Sequence, residues 1–488
     1  MTVVSKDSKD KENDDSGGTG TAAAVRVYVR VRPLIDEEQD HAEMQYKISN
    51  GSSLKIQMPA KKQPQVNPAF AVNAPPPFLR RRQQNDCKVF DGFSSIVPPG
   101  ATNEDVYHQT IQPVLQDLQQ SLCVFTYGHT GSGKSHTLLG YDGKPDSLGI
   151  YKYAVQDLFA QFEQDDNRIL LVRCIELYNQ KVRDLMTGDE CTIREDKQRV
   201  VQVRAPFVED DEGKVHQRPL GQVCRSSQEV VAIIDQACEA RRVGTSTHHD
   251  KSSRSHLFLE LEVVTHDLME QRTTCQMQEA QLTRLKWLQT EKTAFGKHVG
   301  KPLPQWTEPY TKSASKLRNE IKEYEQLVKE SSAALAKTEH GLGNTLVFCD
   351  LAGNEYARDA AASTKEEMEE AAEINKSLLA VKEMMRSLNT SCSDVSSKSK
   401  KTAKHVSYRD SKLSMILKRH LEPNQVQRTG KKNAAAETNN NQCRAIMMGH
   451  VSPSQEYIRK TLNTLTYCSM VGKAATAAAV SKTANKPE

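Results

Sequence analysis

The chain has 488 residues, 37% of them hydrophobic and 26% charged, and its 66 lysines and arginines against 62 aspartates and glutamates leave a formal net charge of +4. That length accommodates two or three average domains or one large α/β domain with insertions, and so small a net charge excludes a global field for a polyanion, leaving local basic clusters to do any such binding. The eleven cysteines stand singly with no C-x-x-C pair, which argues against a disulfide framework or zinc site; with no apolar run of membrane-spanning length and no signal-peptide core, a reduced, soluble, intracellular protein is expected.

Residues 1–24 are charged and poor in apolar side chains, so a disordered segment is expected there, and folding begins at Val25 to Val31, whose alternation reads as a strand. Residues 59–86, with Pro75-Pro76-Pro77 and Arg80-Arg81-Arg82, read as a long surface loop. A helix at about 103–120 precedes a buried strand from Leu122 to Tyr127. A second helix opens at Ser135 and closes at Gly140, a third runs near Tyr151 to Phe162, and a strand covers Leu170 to Leu177. Further strands are predicted at 256–265, 345–350 and 443–450, with helices near 227–242, 366–389, 411–420 and 455–470. This alternation predicts an α/β fold, a central sheet with helices on both faces.

Residues 266–343 break the rhythm. Two polar helical stretches, about 268–293 and 312–338, flank a link containing Gly296, Gly300, Pro302, Pro304 and Pro309, and a helical hairpin is the simplest shape. Leu317, Ile321, Tyr324 and Val328 share one face, as do Leu282, Leu285 and Leu288, so two narrow apolar stripes are placed to pack together. A solvated structural insertion and a partner-binding arm both stay open.

Gly128-His129-Thr130-Gly131-Ser132-Gly133-Lys134-Ser135 is a complete phosphate-binding loop between a strand and a helix. Its glycines let backbone N–H groups turn inward around a phosphate, Lys134 reaches the β/γ oxygens and the Ser135 hydroxyl ligates magnesium, which makes an ATP or GTP site. Asp350-Leu351-Ala352-Gly353-Asn354-Glu355 follows a buried strand, which suits Asp350 to hold magnesium through water and the Gly353 amide to sense a γ-phosphate. Ser252-Ser253-Arg254-Ser255-His256 offers hydroxyls for magnesium and the attacking water, and Arg30-Val31-Arg32-Pro33 ends the first strand with groups suited to flank a purine.

Together these segments resemble the kinesin motor domain, from Val25 to about Gly472. The likeness includes Phe90-Asp91-Gly92-Phe93, Ile175-Glu176-Leu177-Tyr178-Asn179, Ile374-Asn375-Lys376-Ser377-Leu378, Tyr408-Arg409-Asp410-Ser411-Lys412-Leu413 and Thr461-Leu462-Asn463-Thr464-Leu465. The resemblance implies a kinesin-type P-loop NTPase fold with a mixed sheet, a microtubule-stimulated ATPase, and ATP with Mg2+ as cofactors. It places adenine between Arg30, Pro33 and His136, the phosphates on Gly131 to Ser135, and magnesium at Ser135 and Ser253 with Asp350 acting through water. Ser252 is implied to position the attacking water. Arg254 and Glu355 are implied to form the ion pair that closes the two switch loops, Glu355 also relaying a proton.

Tubulin is the implied partner, and Lys398, Lys400, Lys401, Lys404 and His405, leading into Arg409 and Lys412, resemble the family's microtubule-binding loop and helix. No nucleic acid or membrane partner is expected, and the implied location is the cytoplasmic microtubule cytoskeleton. Gly149-Ile150-Tyr151, the run from Arg242 to Thr247, and the run from Ala372 to Glu383 look most similar to internal-motor kinesins that depolymerise microtubule ends, although residues 51–86 lack that group's Lys-Val-Asp tip. His249 stands where Asn is usual, Asn354 where Ser is usual and His129 where Gln is usual. A motor or end-modulating ATPase is therefore weighed against a structural microtubule-binding protein with weak or no ATPase activity. Residues 473–488 are expected to be a flexible C-terminal segment.

Overall fold

A computed structural model of the chain describes residues 25–39, 41–58, 87–115, 121–140, 148–162, 167–195, 201–209, 215–243, 253–293, 314–338, 344–354, 365–391, 408–421 and 445–483. The N-terminal part holds β1 (Val25–Val31), β2 (Tyr46–Ser49), β3 (Ser53–Gln57), β4 (Cys87–Phe90), β5 (Ser95–Val97), α1 (Asn103–Thr110) and α2 (Gln112–Leu115). Then come β6 (Leu122–Tyr127), α3 (Lys134–Leu138), α4 (Ile150–Phe162), β7 (Arg168–Tyr178), β8 (Lys181–Asp184), β9 (Glu190–Glu195), β10 (Val201–Arg204), β11 (Phe207–Glu209), β12 (Val215–Gln217), β13 (Gln222–Cys224) and α5 (Ser227–Val243). The chain continues through β14 (His256–Thr265), α6 (His266–Thr293), α7 (Ala314–Thr338), β15 (Thr345–Asp350), α8 (Lys365–Ser391), α9 (Lys412–Leu421), β16 (Ala445–Val451) and α10 (Ile458–Thr483).

The main sheet runs β10-β9-β8-β7-β14-β15-β6-β16-β1-β5, with β13 added on β7. It is mixed. β6 pairs in parallel with both β15 and β16, and β1 pairs in parallel with β16 and β5, whereas β14 is antiparallel to both β15 and β7. The carboxyl ends of β6 and β15 thus open side by side, where an α/β sheet binds its ligand. α1, α4 and α5 cover one face through residues such as Val106, Leu158 and Ile234, and α8, α9 and α10 cover the other through Val381, Leu417 and Leu465.

β14 shows how alternation builds both layers. Leu257, Leu259, Leu261 and Val263 enter the core beneath α4 and α5, while Phe258 enters the core beneath α8 to α10. Glu260 and Glu262 share the second face, buried beside Arg173 of β7. Arg173 reaches Glu260 at 3.3 Å and Glu262 at 2.6 Å, Arg272 of α6 reaches Glu262 at 2.8 Å, and His420 of α9 lies 3.1 Å from Glu260. Burial alone would raise the Glu262 carboxyl, but Arg173, Arg272 and Arg419 hold it down to about 2.

The helical hairpin is present between β14 and β15. Leu285, Leu317 and Ile321 pack with Leu282, Leu288 and Tyr324, as the two apolar stripes predict, and Lys286 meets Glu325 at 2.7 Å. Its root belongs to the core: Leu268 is fully buried with Ile169, Leu171 and Val264, and Leu335 packs against them. The hairpin leaves the sheet after Thr265, the end of β14 opposite the Leu257–Asp350 pairing, about 26 Å from it at ~3.3 Å per strand residue.

The predicted strands at 256–265 and 345–350 match in both bounds, and the helix at 227–242 ends one residue later. The small sheet β2-β3-β4 and the antiparallel strands β8 to β13 have no counterpart in the sequence reading, being short and only partly alternating. α10 continues past Gly472 to Thr483, and the alanine-rich run from Ala474 to Ala479 favours helix. Residues 1–24, 59–86 and 484–488 lie outside the described residues. Among the described residues all nine cysteines are free, no group of side chains is suited to hold a metal by itself, and no helix is long and apolar enough to cross a membrane.

Candidate functional site

The loop between β6 and α3 wraps around its own backbone. Gly131 and Gly133 take φ of +77° and +96°, left-handed values that favour glycine, and a Cβ on Gly128 would overlap the His450 carbonyl and the Ser132 hydroxyl. Lys134 is buried, and its Nζ donates to the carbonyls of Gly128 at 3.0 Å and His129 at 3.1 Å. Ser135 Oγ donates to Asp350 Oδ2 at 2.7 Å, bringing the end of β15 onto the first turn of α3. Thr126 Oγ1 donates to the other Asp350 oxygen at 3.3 Å, and Arg241 of α5 lies 3.3 Å from Oδ2. A hydroxyl and a carboxylate so placed are hard oxygen donors, the chemistry magnesium selects, beside a loop that presents N–H groups and a lysine to phosphate.

The two switch segments meet the loop through backbone bonds. Gly353 N–H donates to the Ser253 carbonyl at 2.9 Å, and Asn354 N–H donates to the Gly128 carbonyl at 3.3 Å. Ala352 N–H donates to Nδ1 of His256, a fully buried ring whose pKa is pulled down to about 3, chiefly by burial and further by Arg241 and Lys134. The ring is therefore neutral and free to accept. Ser252, Glu355 and His249 lie outside the described residues.

Arg254 reaches across to α8. Its Nη1 lies 2.8 Å from Glu370 Oε2 on α8. Arg30 is buried, and its guanidinium donates to Asn103 Oδ1 at 2.5 Å, Thr137 Oγ1 at 2.7 Å and the Ala101 carbonyl at 3.0 Å, bracing β1 against α1 and α3. Burial lowers it to about 10, which leaves it charged at neutral pH. Pro33 is exposed and His136 half-buried.

Arg32 rather than Arg30 contacts the loop, its Nε donating to the Gly131 carbonyl at 2.8 Å while Glu38 takes its two Nη groups. His129 is fully buried, stacked on Tyr457 with centroids 5.0 Å apart, and held neutral with a pKa near 4 by burial first and then by Lys134, Lys460 and Arg32. His450 of β16 bonds Thr137 Oγ1 at 2.8 Å. The sequence reading missed Arg241, Glu370, His450 and Tyr457; a lone histidine in the otherwise apolar run Ala445–Val451 was the one available signal.

On the α8–α9 side, Arg409 is exposed yet paired with Glu195 at 2.5 Å, and Lys418 reaches the same carboxylate at 2.8 Å. Lys412 donates to the Gln180 carbonyl at the β7–β8 turn. Lys398, Lys400, Lys401, Lys404 and His405 lie outside the described residues.

A model of the kinesin motor domain matches residues 30–286 and 324–429, leaving out the distal part of the helical hairpin. The chain is 31% identical over 245 residues to Kinesin-like protein KIN-14M of Arabidopsis thaliana, covering 49% of this chain and 30% of that protein. It is 26% identical over 457 residues to Kinesin-like protein KIN-8A of Oryza sativa subsp. japonica, covering 92% and 42%, and 25% identical over 395 residues to Kinesin-like protein KIF18A of Mus musculus, covering 80% and 32%. The chain therefore spans well under half the length of these relatives.

Proposed function

The chain belongs to the kinesin motor domain family, and from that premise we propose that it is a microtubule-binding ATPase that couples hydrolysis to movement along microtubules or to modulation of their ends. The observation that carries the reading is the meeting of Lys134, Ser135, Asp350 and the Gly353 amide at the carboxyl ends of β6 and β15. In this proposal the loop amides from Gly131 to Ser135 and the Lys134 ammonium bind the phosphates. Ser135, Ser253 and, through water, Asp350 hold magnesium, which when bound with ATP neutralises charge developing on the β/γ oxygens. Pro33 and His136 flank the adenine, with Arg30 bracing the floor beneath them. Ser252 orients the attacking water, and Arg254 with Glu355 closes the switch loops.

Basic residues from Lys398 to Lys412 supply the attraction for an acidic track, screened by salt as exposed charges are. The engagement of Lys134 with its own loop, of Gly353 with Ser253 and of Arg254 with Glu370 favours slow basal turnover. A steady-state ATPase assay on the purified chain with and without microtubules tests the reading. Turnover that microtubules accelerate supports it; microtubule co-sedimentation without turnover would establish the structural binding protein instead.

A further inference from the structure

Tyr127, the last residue of β6, is the place where α8, α10 and the turn after β15 meet. Its ring packs edge-on against Tyr467 of α10 with centroids 4.8 Å apart, and Lys382 of α8 lies over it at 5.6 Å and over Tyr467 at 5.2 Å. Its hydroxyl accepts a hydrogen bond from Asn354 Nδ2 at 3.0 Å. Both side chains are buried, and Asn354 Oδ1 has no hydrogen-bond partner among the described residues. A buried amide left half satisfied is costly, so its retained bond to Tyr127 constrains the turn strongly.

Asn354 is also tied through its backbone to the Gly128 carbonyl, and its neighbour Gly353 donates to Ser253. The Gly353 N–H is the group expected to turn toward a γ-phosphate. The peptides on either side of Gly353 cannot rotate freely while Asn354 is fastened twice to the end of β6. From these contacts we infer that the Asn354 side chain is a positioning residue: its hydrogen bond to Tyr127 latches the switch turn in the conformation that commits Gly353 to Ser253 and so opposes recognition of a γ-phosphate. This inference rests on the nucleotide reading above.

The latch biases a two-state turn, so removing it shifts the population toward the state that a γ-phosphate selects while leaving ADP, which lacks that group, unaffected. A serine at 354 keeps the backbone bond but is too short to reach Tyr127, and a phenylalanine at 127 keeps the ring against Tyr467 and under Lys382 while deleting the acceptor. The experiment measures, on the full chain, affinity for ADP and for a non-hydrolysable ATP analogue in the parent, Asn354→Ser, Tyr127→Phe and the double variant. Each single variant is expected to raise the analogue-to-ADP affinity ratio about three- to tenfold, the range of one neutral hydrogen bond, and the double variant to raise it no further. An unmoved ratio in either single variant, or a double variant equal to the product of the singles, overturns the latch alone. A parent that binds neither nucleotide overturns the nucleotide reading and the latch together.

Discussion

Arg254 Nη1 lies 2.8 Å from Glu370 Oε2, joining the segment that enters β14 to the second turn of α8. Both side chains are mostly buried, and burial together with the Glu370 carboxylate pushes the nearby Tyr178 phenol up from its ordinary range. Glu370 is thus a competitor for an arginine that the proposed mechanism needs at the switch loops. Glu370→Gln is expected to raise the microtubule-free ATPase rate about threefold or more and to reduce the stimulation ratio, since a hydrogen bond between charged groups contributes ~1.5–3 kcal/mol. Equal basal rates in parent and variant, measured at saturating ATP, would show that Arg254 is not restrained by this pair.

Removing Lys134 separates binding from chemistry. Lys134→Ala is expected to abolish tight nucleotide binding in a calorimetric titration, because the cation leaves while the glycine turns stay. Glu355→Ala is expected to retain binding and suppress hydrolysis at least tenfold. Unchanged ATP affinity in the first variant, or unchanged turnover in the second, would contradict the assigned roles.

The track face is tested by charge. Neutralising Lys398, Lys400, Lys401 and Lys404 together should weaken microtubule co-sedimentation and flatten its salt dependence, each exposed charge contributing ~0.2–1 kcal/mol. Superimposable binding curves across a salt series would remove this loop from the interface.

The hairpin divides into root and tip. Replacing residues 280–328 by a short Gly/Ser bridge should leave folding and ATPase activity intact, whereas deleting 268–340 strips Leu268 and Leu335 from the sheet and Arg272 from Glu262 and should destabilise the chain by several kcal/mol. Thermal melts of the two deletions decide the point. Equal melting temperatures would mean that the root contributes nothing to the core.

Acid should weaken the fold in two stages. His129, His256 and His450 fall from an ordinary 6.5 to between about 3 and 4, with burial the largest cause in each. Each therefore adds stability that is fully present above pH 6.5 and is lost as pH falls toward the folded value, at up to ~1.4 kcal/mol per pH unit per group. Glu262, lowered from 4.5 to about 2, adds a second loss below pH 4.5. Urea midpoints recorded from pH 7 to 3 should decline throughout, and His450→Asn should flatten the upper stage. A midpoint constant between pH 6.5 and 4.5 would show that the three rings are not buried neutral.

Much of the fold was legible because its signals are local. The strand–loop–helix around Gly128 to Ser135 announces itself by glycine spacing, β14 and β15 by short apolar runs, and the hairpin by two stripes at helical spacing flanking a Pro/Gly link. Those are properties of neighbouring residues, so the sequence by itself determined the nucleotide loop, the family resemblance, the principal strands and the insertion. Which side chain meets which across the site depends instead on the order β15-β6-β16, a result of packing that no periodicity encodes. Arg254 finds Glu370, Asn354 finds Tyr127, Thr137 finds His450 and Glu262 finds Arg272 only once the sheet has assembled and the helices have closed over it. Buried polar groups must satisfy one another wherever the fold brings them together, so tertiary structure alone decided these partners.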